Sequence, residues 1–256
     1  MFSLTKHYLD CTDNKNNTII IYAACLKIAG LKIPFCSYLI NNGIITIEES
    51  RLKKAKLFGS DSLEINIPSL KTEGHWHKAD SGISEVLFKT GNKRILWDCH
   101  QPRSKVALKI GNNTFEGLGY AETIHLSFSP TQLPIDTLMW GRYLSTGFTI
   151  VWIEWKGPYP QKKVYVNGIV QADAIIENEK ISFPELGMEL LLSEARPIKN
   201  NPLSALAKQY PFLKWFFSKR FLSSHEIKYS GMGTIIKDKK ILDTGRALYE
   251  TVQWKR

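Results

Sequence analysis

A carboxylate lies among apolar residues in the segment GLGYAETIHLSF, residues 117–128. The segment has the composition of a strand, and side chains on a strand alternate between two faces. Glu122 then shares its face with Tyr120 and Ile124, whereas Thr123 lies on the more polar face. Because burial of an unpaired charge is costly, the acid needs either a partner or a chemical role.

The chemical role would be proton donation. Desolvation raises the pKa of a carboxyl group above its reference value of about 4.3, and a carboxyl that is neutral at pH 7 can protonate a ligand. RALYETVQW (246–254) repeats the arrangement, with Glu250 in an apolar row. In FTIVWIEW (148–155), Glu154 also shares an apolar face, but it lies near the predicted strand end, where it would be exposed. We therefore predict that Glu122 or Glu250 is the proton donor.

An ion pair is the alternative to a free acid. Arg142, in the segment WGRYL, can hold a carboxylate through two parallel hydrogen bonds. Glu122 would then stay ionised and stabilise an interior, while Glu250 has no evident arginine of its own. We expect Arg142 either to set the charge state of one acid or to bind the polar end of a ligand.

Aromatic residues accompany the unusual acids. Their faces can line a cavity for a flat apolar ligand and can stabilise a developing cation, although a simple core role is the alternative. The predicted ligand-binding residues are Tyr120, Trp97, Trp140, Trp152, Trp155 and Trp254.

Other motifs do not extend this chemistry. His75 and His77 in GHWHKAD can supply two metal ligands, but no third ligand stands at a convincing spacing, so we predict no metal site. Cys99 and His100 are adjacent and would point to opposite faces of a strand, which excludes a nucleophile–base pair. The sequence contains no Gly-x-Ser-x-Gly motif, P-loop or dinucleotide fingerprint, and we predict no cofactor.

Composition restricts the class of protein. The 256 residues are 43% hydrophobic, enough for a substantial core, and the net charge of +10 is scattered without a basic-aromatic pattern, which argues against nucleic acid as a partner. The four cysteines show no metal-type pair and are expected to be reduced thiols. The N-terminal segment has no secretory pattern, and no stretch approaches the roughly 18 apolar residues of a membrane span, so a cytoplasmic location is expected.

The chain consists mainly of short β-branched and aromatic segments separated by turns such as Asn41-Asn42-Gly43 and Asn167-Gly168. This pattern predicts an all-β chain of antiparallel hairpins, arranged as one or two barrels. Two helical insertions are predicted, at 134–144 and at 200–222. In the second, Asn201 would cap the helix, Pro202 would occupy its first position and Pro211 would divide it. We expect this helix to pack on the barrel.

The helical segment also supports a different interpretation, that of a peripheral membrane protein. Aromatic and basic side chains alternate in its second half, which is typical of segments that contact a membrane surface transiently. The residues concerned are Lys214, Trp215, Phe216, Phe217 and Lys219.

Several segments together resemble a known superfamily. They are HYLDCTDNKNNTIIIYAACL, RILWDCHQPRSKVALKI followed by GLGYAETIHL, LPIDTLMWGRYLS, VWIEW and the terminal GRALYETVQW. As a set they resemble the lipocalin-like superfamily that contains the carotenoid 1,2-hydratases (hydroxyneurosporene synthases). The resemblance implies lipocalin-like barrels, often two in tandem, a cavity for an apolar ligand, and acid catalysis on alkenes or cyclisation without redox cofactors.

These observations lead to one functional hypothesis and one alternative. The chain is predicted to form two β halves, 1–115 and 116–256, and to bind a small lipophilic ligand, isoprenoid-like or polyketide-like, in a barrel cavity. Acid-assisted hydration, isomerisation or cyclisation of that ligand would need no cofactor. The alternative is a carrier that binds the ligand without chemistry.

Overall fold

The computed structural model describes residues 2–215 and 217–255, without the side chains of Leu206, Ala207, Leu213 and Arg220. About 67% of the residues lie in strands and 8% in helices, which confirms the all-β prediction. The chain divides into two compact units, Met1–Gln132 and Leu133–Arg256. Each is built on one antiparallel sheet.

The first unit contains a ten-stranded sheet with the order β4-β3-β2-β1-β10-β9-β7-β6-β5, in which β8 also pairs with β9. The strands are β1 (Phe2–Asp13), β2 (Thr18–Ile28), β3 (Leu31–Asn41), β4 (Thr46–Arg51), β5 (Lys56–Phe58), β6 (Ser62–Ile67), β7 (Thr72–Lys78), β8 (Ile83–Thr90), β9 (Lys93–Ile110) and β10 (Asn113–Leu126).

One hydrophobic core explains why this sheet curls. Leu9 on β1, Ile21 on β2, Ile65 on β6 and Trp76 on β7 pack into a single cluster, so strands from both ends of the sheet enclose the same interior. Along KVALKI at 105–110 the even positions are buried and the odd positions exposed, as the alternation predicts.

The second unit contains a nine-stranded sheet with the order β14-β13-β12-β11-β19-β18-β17-β16-β15. Its strands are β11 (Thr137–Leu144), β12 (Thr149–Lys156), β13 (Gln161–Val166), β14 (Ile169–Val170), β15 (Ile175–Ile176), β16 (Lys180–Phe183), β17 (Met188–Pro202), β18 (His225–Lys237) and β19 (Lys240–Gln253). Between β17 and β18 lie α1 (Ser204–Gln209), a 3-10 turn at Pro211–Trp215, and α2 (Lys219–Leu222).

The two sheets repeat one strand order. In each, four consecutive strands form a meander from the edge inward, and the last strand of the unit pairs with the first. The connectors also match: a 3-10 turn at Pro68–Leu70 ends in the left-handed Lys71, and one at Pro184–Leu186 ends in the left-handed Gly187. β10 and β19 are therefore topological equivalents, although the sequence shows no exact repeat.

The structure changes the predicted domain boundary. The sequence places it between residues 115 and 116, whereas the units divide between Gln132 and Leu133. β10 pairs with both β1 and β9, so the strand that the prediction assigned to the second half completes the first sheet.

The predicted helix at 134–144 is wrong, because most of it forms β11, which pairs with β12 and β19. Gly141 permits close packing there, since a Cβ atom would lie 2.1 Å from the Trp152 indole.

The helix predicted from Asn201 instead begins at Ser204, and Asn201 and Pro202 pair with β18 as part of β17. Pro211 does separate α1 from the following turn, as predicted.

Candidate functional site

Both faces of β10 are buried over residues 119–123, which differs from the sequence expectation of one apolar and one polar face. Ala121 packs in the hydrophobic core of the first unit, and Thr123 beside it is 2% exposed. Glu122 and Tyr120 lie on the opposite face and are 6% and 0% exposed. Glu122 is therefore buried as predicted, but on the face opposite to the core.

Two neutral donors hold the carboxyl group of Glu122. Trp97 Nε1, from β9, donates to Oε2 over 2.5 Å, and the Tyr120 hydroxyl donates to the same oxygen over 2.6 Å. Because Oε2 already accepts two hydrogen bonds, a proton on this carboxyl group would reside on Oε1.

Burial keeps the Tyr120 hydroxyl and the Cys99 thiol, which lie around this carboxyl, in their protonated forms. Desolvation, followed by the proximity of Cys99 and Glu122, raises the pKa of Tyr120 well above its ordinary value, so the phenol keeps its hydrogen. Desolvation likewise raises the pKa of Cys99 well above its ordinary value, so this thiol is no nucleophile.

A cavity of about 440 Å³ opens in the first unit beside these strands. One part of its wall is apolar and another part carries titratable side chains. The lining residues are Leu9, Leu57, Phe58, Leu63, His7, His100, Thr123, Asp98, Glu122, Lys78, Ser60, Gly59 and Gly82. Gly59 is required by the local backbone, because its φ of +89° favours glycine and a Cβ atom would lie 2.0 Å from the Ser62 carbonyl oxygen.

Two imidazoles share one hydroxyl in this wall. His7 Nδ1, on β1, lies 2.8 Å from Thr123 Oγ1, and His100 Nε2, on β9, lies 2.7 Å from the same oxygen. His100 Nδ1 lies 3.6 Å from Asp98 Oδ2. Burial, with smaller effects from His125 and His100, lowers the pKa of His7 from 6.5 to about 4, so His7 is neutral at pH 7.

Sequence reasoning missed the His7–Thr123–His100 cluster because its members are far apart in the chain. The sequence did offer one signal: Thr123, on the polar row of β10, directly follows Glu122. The strand register places His7 directly opposite Thr123, and no local motif reveals this pairing.

The other two predicted catalytic residues belong to the second unit. Arg142 is fully buried on β11, where its Nη1 donates to the Arg246 carbonyl oxygen over 3.0 Å. Its pairing with Glu122 stays a prediction.

Glu250 has a basic partner that the sequence did not reveal. It forms an ion pair with Lys228 on the neighbouring strand β18, and Lys228 Nζ also lies 3.1 Å from Glu226 Oε1. The sequence offered no arginine as a partner for Glu250. In the structure Lys228 is its cationic partner instead.

The six predicted aromatic residues divide between the units. Trp97 and Tyr120 meet at Glu122 in the first unit. In the second unit, Trp152 belongs to the hydrophobic core, Trp155 lies beside Tyr159, Trp140 stands opposite Glu250, and Trp254 stacks on Phe221 with ring centroids 5.3 Å apart.

His75 and His77 lie on the exposed side of β7, with their rings stacked 6.4 Å apart. His75 Nδ1 lies 3.5 Å from Glu64 Oε1. Across residues 2–215 and 217–255, no three histidine, cysteine, aspartate or glutamate side chains form a group that could hold a metal ion.

The segment considered for membrane contact is partly exposed. Trp215 is 85% exposed, while Phe217 stacks on Phe221 at 5.3 Å. Phe216 lies outside the described residues. None of the helices in the described part of the chain has the length and apolarity needed to cross a bilayer.

Comparison with solved structures identifies the fold. A protein from Nitrosomonas europaea, provisionally described as ATTH, has a TM-score of 0.54 at 8% identity, covering 100% of this chain and 93% of that one. Kievitone hydratase from Nectria haematococca has a TM-score of 0.55 at 10% identity, covering 98% and 88%. CghA in complex with Sch210972 has a TM-score of 0.54 at 8% identity, covering 99% and 89%.

No protein-family model matches the chain, and no curated protein matches its sequence. The structural likeness extends over nearly the whole chain and shows a lipocalin-like fold, which confirms the predicted fold.

Proposed function

Starting from a fold shared with a hydratase, we propose that the first unit binds a small lipophilic ligand and acts on it by cofactor-free acid–base chemistry. The observation that carries the proposal is the composition of the cavity wall. Leu9, Leu57 and Leu63 offer an apolar surface, and His7 and Glu122 in the same wall can exchange protons. Its volume of about 440 Å³ lies within the range typical of small-molecule sites.

The reaction class that fits is acid-assisted hydration, with isomerisation or cyclisation as variants that start from the same cation. In the proposed reaction Glu122, which contributes to the cavity lining although its side chain leaves β10 on the face opposite to Thr123, transfers a proton to a double bond of the ligand. The Trp97 and Tyr120 hydrogen bonds would then stabilise the carboxylate that forms. In hydration, water adds to the resulting carbocation and loses a proton to a base.

Ligand binding is tested first, with 1-anilinonaphthalene-8-sulfonate as a fluorescent probe. Leu57→Trp, on the edge strand β5, should fill the cavity and weaken binding of the probe at least tenfold. The matched control is Ile176→Trp on β15, the equivalent edge strand of the second unit, which should leave binding unchanged. Equal binding by the parent and Leu57→Trp would contradict the proposal.

Chemistry is tested on whatever lipophile copurifies. Solvent extraction and mass spectrometry identify this compound, which is then incubated with the protein in ¹⁸O-enriched water. Hydration adds one labelled water to the ligand, whereas isomerisation and cyclisation leave its mass unchanged but alter its retention. A ligand recovered without any change supports the carrier alternative.

A further inference from the structure

The cluster of His7, Thr123 and His100 constrains the positions of its hydrogens. A threonine hydroxyl has one hydrogen to donate, and here it lies within hydrogen-bonding distance of two ring nitrogens, at 2.8 Å and 2.7 Å. If Thr123 donates to His7 Nδ1, His100 Nε2 must carry a hydrogen, and the reverse arrangement requires the hydrogen on His7. The two imidazoles therefore hold complementary tautomers.

The cluster also connects two environments. All three residues line the same cavity, but His7 is partly buried there, whereas the side chains of His100 and Asp98 are 38% and 45% exposed and reach solvent. We propose that His7, Thr123 and His100 form a proton relay between the cavity and solvent. The inference deepens the proposed function, because it supplies the base that hydration of a ligand in this cavity requires.

The relay works by concerted transfer. As the oxygen of water bonds to the cationic carbon of the ligand, its O–H bond breaks and His7 Nε2 takes the proton. The Nδ1 hydrogen of His7 passes to Thr123 Oγ1, and the original hydroxyl hydrogen passes to His100 Nε2. His100 then releases its Nδ1 hydrogen to solvent beside Asp98.

The reverse transfer closes the cycle. His100 takes up a proton from solvent, His7 returns one to the cavity, and this proton restores the acid that was spent on the double bond. Each turnover therefore consumes one proton and releases one, and each imidazole returns to its starting tautomer.

The surroundings of His7 favour its neutral form. Burial, followed by the proximity of His125 on β10 and His100 on β9, lowers the pKa of His7 to about 4. Opposite His7, β2 contributes the uncharged Ala23. Asp98, Glu122 and Lys78 are the other ionisable residues that line the same cavity.

Nitrogen-15 NMR of the imidazoles tests the relay without any ligand. In the parent protein at pH 7, the protonated fractions of His7 Nδ1 and His100 Nε2 should sum to one hydrogen, and protonation of His100 at lower pH should shift the His7 signals. Thr123→Val should abolish this coupling, and Thr123→Ser, which keeps the hydroxyl, should preserve it. Thr251→Val at the equivalent position of β19 is the control and should leave the coupling intact.

Two results would overturn the relay: coupling that persists in Thr123→Val, or a parent protein in which both nitrogens carry a hydrogen or neither does. The second needs no variant and so decides the matter even if Thr123→Val does not fold. Binding of 1-anilinonaphthalene-8-sulfonate by the same samples reports on the cavity separately, so a failed relay with normal probe binding leaves the proposed binding function standing.

Discussion

The two units place a glutamate at equivalent positions of their last strands and surround it differently. Glu122 on β10 receives hydrogen bonds from the neutral Trp97 and Tyr120, whereas Glu250 on β19 is paired with the cation of Lys228. A lysine fixes a carboxylate in its charged form, while neutral donors leave the carboxyl able to gain or lose a proton. We therefore expect a structural role for Glu250 and propose a chemical one for Glu122.

The neighbouring threonines show the same contrast. Thr123 stands opposite His7 and bonds to His100, whereas Thr251 stands opposite Met139 and Ile227, neither of which carries a titratable group. One strand order therefore places imidazoles beside Thr123 in the first unit and apolar side chains opposite Thr251 in the second. The fold itself does not determine the chemistry.

Removal of the lysine should produce the largest effect on stability. Lys228→Met leaves the partly buried Glu250 and Glu226 without this buried cation and should lower the free energy of unfolding by about 3–5 kcal/mol. Urea unfolding measures the loss, and the double variant with Glu250→Gln should recover part of it. A Lys228→Met protein as stable as the parent would show that the pair does not hold this unit together.

Substitution of the first glutamate should separate chemistry from stability. Glu122→Gln keeps the shape and accepts the same two hydrogen bonds, so probe binding and thermal stability should stay close to those of the parent. Turnover of the copurified ligand should fall by about 10²–10⁴-fold, because the transferable proton is gone. Glu250→Gln is the matched control for turnover and should leave it unchanged.

The ion-pair alternative predicts a different result for the same variant. If Arg142 balances Glu122, Glu122→Gln leaves a buried guanidinium uncompensated and should cost about 3 kcal/mol of stability. Arg142→Met in the double variant would then restore part of the loss. Thermal melts of both single variants and the double variant distinguish this pair from a proton donor.

Sequence alone predicted the all-β fold and singled out Glu122, because alternation along a strand is a local property that a single segment reveals. It failed where non-local pairing decides the outcome. The helix predicted at 134–144 rested on a proline and an acidic residue, but pairing with two strands overrides that preference. The sequence did not reveal the roles of Lys228 and His7 for the same reason, because only the register of the sheet brings each of them next to its partner.

Acid should destabilise the first unit through His7. Its folded pKa of about 4 lies below the 6.5 of the unfolded chain, so the unfolded state takes up a proton first as the pH falls. Stability should therefore decline between pH 6.5 and pH 4 and then level off. The part due to His7 is on the order of 2 kcal/mol, allowing for partial exposure.

The substitution His7→Met, which introduces the residue found opposite Thr251 in the second unit, should remove this part of the pH dependence. Urea unfolding of parent and variant at pH 7 and pH 4 measures the difference. An unchanged pH dependence would show that His7 titrates alike in the folded and unfolded states. His125, whose pKa is also lowered, mainly by burial, contributes a residual slope of the same sign in both proteins.

The smallest predicted effect concerns the indole that binds Glu122. Trp97→Phe removes one of the two hydrogen bonds to Oε2 but keeps an aromatic ring, and the lost bond should cost about 1–2 kcal/mol. Trp254→Phe is the matched control, because its buried Nε1 donates no hydrogen bond to any described residue, so only the change in ring size remains. The difference between the two variants in urea unfolding isolates the hydrogen bond.

This difference in unfolding free energy should be smaller than the loss in Lys228→Met, because a neutral donor stabilises a carboxyl group less than a buried cation does. Equal losses in Trp97→Phe and Lys228→Met would mean that Glu122 is held as firmly as Glu250, and the distinction between a chemical and a structural glutamate would fail.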